Sequence, residues 1–186
     1  MARLIYTSIV SLDGFIADLD NRFDWARPDE EVHGFVNDLE RPIGTYLLGR
    51  RMFEVMRVWE SIGREPEDPP VIRDYARIWT GADKIVFSSS LRGVDTARTR
   101  IERQFDPEAV RDLVRGASRD LGIGGAQLAA QALAANLVDE IRLIVAPVLV
   151  GGGKPGLPAG LFLQLGLADM RRFSNGMVFL RYQPVR

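Results

Sequence analysis

Cysteine is absent from this chain, which excludes disulfides, thiolate metal sites and cysteine nucleophiles. Histidine occurs once, at His33, so histidine-rich metal sites and triads that draw on a second histidine are excluded. His33 itself reads as a helix-surface residue. No GK[ST] tripeptide occurs, which removes a Walker A loop. No apolar run approaches membrane-spanning length, and the opening MARLIYTSIVSLDG lacks the continuous apolar core of a signal peptide. An excess of one charge is missing as well. With 24 basic and 25 acidic residues, the net charge of −1 gives no global case for nucleic acid or anionic membrane. No carboxylate spacing points to a metal. What is left, 46% apolar and 26% charged residues, is the composition of a soluble globular protein. Its 186 residues are most economically one domain, 1–186, and a cytoplasmic protein is the expectation.

The chain is organised around Leu121–Gly153, LGIGGAQLAAQALAANLVDEIRLIVAPVLVGGG. A short apolar approach ends at Gly124-Gly125, and a strongly helix-favouring run follows from Ala126 to Ala135. Asn136 can close that helix, and Ile141–Val145 reads as the next strand. Glycines at such a junction let an anionic group approach bare amides at a helix N-terminus.

Elsewhere the order is similar. Residues 3–10 read as a buried strand, followed by the Asp13-Gly14 turn and the short apolar piece Phe15–Ala17. Residues 18–27 form a polar loop whose aromatics, Phe23 and Trp25, either fold under it as a satellite core or line a pocket. Pro28 opens a helix with Asp29, Glu30 and Glu31 in its first turn, where carboxylates suit the dipole. Val32, Phe35, Val36 and Leu39 define its buried face. At 100° per residue, Glu30 then points away from that face, while Glu31 lies on its border one turn before Phe35. All three acids also fit a role as dipole-matching surface charges.

A strand at Thr45–Leu48 stops at Gly49-Arg50, and a helix carries Met52, Val55, Met56 and Trp59 at helical spacing. Ser61–Pro70 is a proline- and acid-rich loop, Val71–Trp79 a modest helix, and Asp83–Phe87 a strand ending at Ser88-Ser89-Ser90. Arginine-rich residues 91–105 hold an edge strand near Thr99–Ile101. Asp106-Pro107-Glu108 starts a helix that Gly116 ends. Leu167–Phe173 and Met177–Tyr182 read as strands joined by the Ser174-Asn175-Gly176 turn. Strands alternating with helices, then a terminal hairpin, imply an α/β fold: a mixed, mostly parallel sheet with helices on both faces and an antiparallel edge.

Three strands end in groups suited to phosphate: Gly49-Arg50, Ser88-Ser89, and Gly124-Gly125 with Ala126-Gln127. In an open sheet such ends face one crevice, which favours an extended polyphosphate ligand. The Rossmann fingerprint fails, because Gln127 stands where its third glycine belongs.

SLDGFIA (Ser11–Ala17), LLGRRMFE (Leu47–Glu54), KIVFSSSL (Lys84–Leu91) and IGGAQLAAQALAANLVDEIRLIVAPVLVGGGKP (Ile123–Pro155) follow one another here. In these motifs the chain resembles the dihydrofolate reductase-like superfamily, above all the reductase domain of riboflavin-biosynthesis deaminase-reductases and their stand-alone relatives. The last block is the most specific. The resemblance implies a central eight-stranded sheet and an NADPH-dependent reductase acting on a small heterocyclic or sugar-like substrate. It also implies that Gly124, Gly125, Ala126 and Gln127 meet the cofactor pyrophosphate, with Gly49 and Arg50 opposite. Ser88 and Ser89 match the 2′-phosphate region, and Ile16 and Ala17 the segment beside the nicotinamide. Asp13-Gly14 matches the turn before it, which makes Asp13 a candidate catalytic carboxylate beside Glu31. Trp25 and Phe35 correspond to the substrate pocket. Counting forward from Trp25 selects Glu30 as the acid, the helical face selects Glu31, and a water is the third source of the proton. Relatives of this kind are often homodimers, and Ile141–Val150 is a candidate contact. A nucleotide- or flavin-binding protein without turnover is the alternative reading.

Overall fold

A computed structural model describes residues 1–185. In chain order its first half runs β1 (Leu4–Ser11), β2 (Phe15–Ala17), α1 (Glu30–Glu40), β3 (Ile43–Gly49), α2 (Arg50–Met56), α3 (Pro70–Gly81), β4 (Asp83–Phe87) and β5 (Thr99–Glu102). The second half runs α4 (Pro107–Gly116), β6 (Asp120–Gly124), α5 (Ala126–Ala134), β7 (Glu140–Ala146), β8 (Lys154–Pro155), β9 (Leu165–Arg172) and β10 (Val178–Pro184).

Eight strands form one sheet in the order β5-β4-β3-β6-β1-β7-β10-β9. Its pairs are parallel except for those of β10 with β7 and β9, so the terminal hairpin is the antiparallel edge. Successive residues of a strand point to opposite faces, and Leu47 and Leu48 on β3 show where each goes. Leu47 joins the cluster of Leu121, Ile123, Leu128 and Leu133 under α5. Leu48 joins Tyr46, Tyr75, Trp79 and Val86 under α3. Val32 of α1 fills a third cluster with Ile144, Phe173 and Phe179. Helices therefore cover both faces, as expected for a dihydrofolate reductase-like sheet.

The ends of elements depart from the sequence reading in informative ways. α1 begins at Glu30 rather than Pro28, because the Asp29 carboxylate accepts the Val32 N–H at 2.9 Å and becomes the cap. Of its apolar stripe only Val32 is fully buried, and the polar Asn37 and Glu40 are buried with it. The helix expected through Trp59 stops at Met56, and a tighter 3₁₀ turn at Arg57–Glu60 swings Trp59 onto Tyr75, with ring centroids 4.5 Å apart. The glycine loop after β7 contains β8, which pairs with β2 as a separate small sheet. Asn136, at φ +54°, does close α5 in the left-handed conformation. Ile141 and Ile144 are buried within β7, which is paired on both sides by β1 and β10. Pairing on both sides leaves β7 no free backbone edge for a second copy. Among the described residues no helix is long and apolar enough to cross a membrane.

Candidate functional site

The sheet splits at its centre. β1 pairs with β6 only from Leu4 to Tyr6, but with β7 as far as Ser11. Beyond Tyr6 the two strands part, and Thr7, Ser8 and Ile9 become half-exposed although β1 is an interior strand buried at both ends. Openings at the carboxyl ends of parallel strands are where α/β sheets take ligands.

One lip of the split is made by two glycine turns on neighbouring strands. β6 runs through Gly124 into Gly125, whose φ of +95° suits glycine and which precedes α5. β3 ends at Gly49, which precedes α2. The turns are in contact: a Cβ on Gly125 would lie 3.4 Å from Met52 Cβ and 3.7 Å from the Gly49 nitrogen. No side chain caps either helix start among the described residues, whereas Asp29 and Asp106 cap α1 and α4. The amides opening α5 are therefore left as donors at the positive end of its dipole.

Arg50 adds a full charge beside them. Its guanidinium donates to Glu54 at 2.7 Å and to the Ser90 hydroxyl at 2.9 Å, which ties the start of α2 to the end of β4. Ser88 has a different task there. It is buried, and its hydroxyl accepts the Ser90 and Leu91 N–H groups, so it shapes the turn, while Ser89 and Gln127 stay exposed. Arg103 donates to the Ser88 and Leu91 carbonyls from beyond β5. Ser90 and Arg103 escaped the sequence reading. The triple serine was the available signal for the first, and nothing local marked the second.

Asp13 joins two loops at the mouth of the split. Its carboxylate accepts the Ser11 hydroxyl at 2.6 Å, Val150 N–H at 3.2 Å and Gly151 N–H at 2.8 Å. These donors, the Ser11 hydroxyl foremost, hold the carboxyl below its usual range. The β2–β8 pair carries the contact onward past Ile16 and buried Ala17. Gly153 is obligatory in this contact, since at φ +131° a Cβ would fall 2.0 Å from the Ala17 carbonyl oxygen. Gly153→Ala is expected to cost about 2 kcal/mol or more in thermal unfolding and to open residues 148–156 to limited proteolysis.

Glu31, Phe35 and Trp25 gather on the hairpin side of α1. Glu31 accepts the Ser174 hydroxyl at 2.6 Å, its N–H at 3.1 Å and Arg171 at 3.1 Å. The Ser174 donors, then Arg171, hold this exposed carboxyl low, so it is ionised at neutral pH. Phe35 packs edge-on to Phe173 and Phe179, with Arg171 over its ring. Trp25 joins the same cluster, and its buried indole N–H has no hydrogen-bond partner among the described residues. Phe23 is exposed. His33 is on the opposite side of α1, half-buried, edge-on to Trp59 and Tyr75 and bonded through Nδ1 to Asn37. Among the described residues no cluster of His, Asp and Glu is placed to hold a metal.

The split sheet, its glycine turns and the strand order can be set beside known proteins. The sequence profile of the RibD C-terminal domain matches residues 2–179. The chain belongs to the RibD C-terminal domain family. A curated relative, the uncharacterised protein YyaP of Bacillus subtilis (strain 168), is 31% identical over 182 residues, covering 97% of this chain and 94% of its own. Among solved structures, a Shewanella sp. PV-4 protein assigned provisionally to riboflavin biosynthesis superposes with a TM-score of 0.77 at 20% identity, over 99% of both chains. A pyrimidine reductase-like protein of Corynebacterium diphtheriae gives 0.66 at 15% identity, over 100% of this chain and 92% of that one. The Thermotoga maritima diaminohydroxyphosphoribosylaminopyrimidine deaminase/5-amino-6-(5-phosphoribosylamino)uracil reductase gives 0.68 at 16% identity. That match covers 99% of this chain but 57% of that protein. These structures share the RibD-type fold, which is dihydrofolate reductase-like.

Proposed function

We propose that this RibD-type domain is an NADPH-dependent reductase acting on a small heterocycle, pterin- or aminopyrimidine-like, or on a sugar-like substrate. The observation that carries the reading is the split between β1 and β6 with the Gly49-Arg50 and Gly124-Gly125 turns on its lip. The residues fit a dinucleotide. Amides of Gly125, Ala126 and Gln127 would receive the pyrophosphate, with Gly49 allowing close approach and Arg50 balancing its charge. Arg50, Ser89, Ser90 and Arg103 would meet a 2′-phosphate, with Ser88 holding their turn. When bound, the nicotinamide supplies a hydride. The chain's own part is to orient and to exclude water. Ile16 and Ala17 would flank the ring, Thr7 and Ile9 would floor the opening, and Asp13 would fix the loops at its mouth. Trp25 and Phe35 would form the substrate side. The reductase named for relatives supports the class of reaction, while the deaminase named for the Thermotoga protein is not carried over. Glu31, held ionised by Ser174 and Arg171, is a poor proton donor in this scheme.

The test is an NADPH titration followed by its oxidation against pterins and aminopyrimidines. Binding followed by oxidation with one substrate class is expected. Binding with no oxidation of any substrate favours the nucleotide-binding alternative, bound flavin favours that cofactor, and no binding overturns the reading. Arg50→Ala is expected to weaken NADPH about tenfold, or roughly 1.4 kcal/mol, and NADH less.

We also infer a homodimer, through the hairpin half of the sheet. Register places Leu180 opposite Leu143 and Met170, and Tyr182 opposite Ile141 and Leu167, so these apolar residues share one face. Met170 and Leu167 remain 60% and 53% exposed there, although the other face of β10 already buries Phe179. An antiparallel edge with one wet face normally alternates to polar residues. Sedimentation equilibrium is expected to give a dimer for the parent chain and a monomer for Met170→Glu; a monomeric parent overturns this.

A further inference from the structure

Below the opening lies a group of polar side chains that the cofactor reading leaves unused. Glu40 ends α1 and Tyr46 stands on β3, and each is 6% exposed. Glu40 Oε1 and the Tyr46 hydroxyl have no hydrogen-bond partner among the described residues. Buried polar groups are nearly always satisfied, so two orphans buried in one place stand out, and the Glu40 carboxyl helps to push the Tyr46 hydroxyl up. Glycine on β6 creates the space. A Cβ on Gly122 would come 2.9 Å from the Tyr46 ring, so its absence lets that ring lie across β6. Thr7 completes the group. It is the first residue of β1 past the split and is half-exposed, and register sets it beside Arg142, whose guanidinium donates to the Leu39 carbonyl next to Glu40; its hydroxyl helps to hold the Glu40 carboxyl down.

Four elements surround that carboxyl: β1 with Thr7, β3 with Tyr46, α3 with Tyr75 and β7 with Arg142. Arg142 is the cation among them, and it is already engaged, donating to Glu140 at 2.6 Å and to the Leu39 carbonyl at 2.9 Å. The Arg119 charge acts on Tyr46 as well, the weakest of the influences on that hydroxyl. Burial is the strongest influence on Glu40 and pushes its carboxyl up, with the Arg142 charge and the two hydroxyls opposing. Glu31 is the reverse case, an exposed carboxylate held low by its donors.

We propose that Glu40 is the proton reservoir of the reduction and acts through the Thr7 hydroxyl at the floor of the opening. This rests on the reductase reading above. As hydride from the reduced dinucleotide adds to the substrate carbon, the C=N or C=O π pair moves to the heteroatom. The heteroatom takes the Thr7 hydroxyl proton while Thr7 takes the carboxyl proton of Glu40. Glu40 is left as a carboxylate facing Arg142 and regains a proton from solvent before the next cycle. The sign follows from the raised carboxyl: the neutral, proton-donating form dominates at low pH and is lost as pH rises through the folded-state value. Activity then falls on the alkaline side.

Two measurements test this. The first is the infrared spectrum at neutral pH, where the parent protein is expected to show the carbonyl stretch of a protonated carboxyl that Glu40→Gln removes. The second is the pH profile of NADPH oxidation with the best aminopyrimidine or pterin for the parent, Glu40→Gln, Thr7→Val and Thr7→Ser. Glu40→Gln and Thr7→Val are each expected to lower kcat about 100-fold with NADPH affinity unchanged. Glu40→Gln also loses the alkaline limb, and Thr7→Ser restores the rate. A parent protein without the neutral-carboxyl band overturns the proposal, as does a Glu40→Gln enzyme with the parent's rate and profile. Should Glu40→Gln fail to fold, the Thr7 pair decides by the same criterion. A parent that binds no NADPH overturns the reductase reading instead, and the infrared result still decides the state of Glu40.

Discussion

Gly125→Val is expected to leave the sheet folded and to weaken NADPH binding at least 100-fold, which is about 2.8 kcal/mol. The residue sits at φ +95°, where a β-branched side chain is strained by roughly 1–3 kcal/mol. Its new Cβ would already be 3.4 Å from Met52 Cβ, so the γ-methyls must displace α2 or cover the amides that open α5. Either outcome removes donors from the proposed pyrophosphate site. Gly116→Ala is the matched control, because a Cβ there meets nothing within 4 Å. Circular dichroism and an NADPH titration on both variants separate lost binding from lost fold.

Arg142→Met is expected to lower stability by about 3–5 kcal/mol, the largest change from a single polar substitution in this chain. Arg142 Nε and Glu140 Oε1 are 2.6 Å apart, with side chains 5% and 0% exposed. Arg3 reaches the other Glu140 oxygen at 2.9 Å but is itself 41% exposed. Removing Arg142 thus leaves a fully buried carboxylate with one solvent-weakened partner. It also frees the Leu39 carbonyl at the end of α1. Replacing the pair, as Arg142→Met with Glu140→Leu, is expected to recover much of the loss, because no buried charge is then left alone. Urea unfolding of the three proteins gives the comparison. An Arg142→Met protein as stable as the parent would show that water reaches Glu140.

These effects bear on what the sequence could reveal. The alternation of strands and helices was legible because β-branched runs and 3.6-residue stripes are local signals. Leu4–Ser11 and Asp106–Gly116 needed no tertiary information. The glycine pair at Gly124-Gly125 was equally plain, since a helix-forming run begins directly after it. Trp59 misled, because helical spacing cannot show that a tighter turn will carry the ring onto Tyr75. The two-residue β8 is too short for any periodicity and exists through its pairing with β2.

The site was legible where it is backbone and obscure where it is side chains from distant segments. Ser90 meets Arg50 across 40 residues, and Arg103 reaches the Ser88–Leu91 turn from beyond β5. Asp13 reads as an ordinary turn aspartate until Val150 and Gly151 are found on its carboxylate. Glu31 lies at the border of a helix face, and its partners Arg171 and Ser174 come from the far end of the chain. Glu40 gave no signal. A glutamate ending a helix reads as solvated unless the ring that covers it, Tyr46, and the glycine that admits that ring, Gly122, are known together.

The most direct test of the cofactor site is a crystal structure of the protein grown with NADPH. The account predicts the pyrophosphate on the amides of Gly125 to Gln127, with Arg50 alongside and the nicotinamide in the split between β1 and β6. A dinucleotide bound at any other surface, with the Gly125 turn free of phosphate, would contradict it.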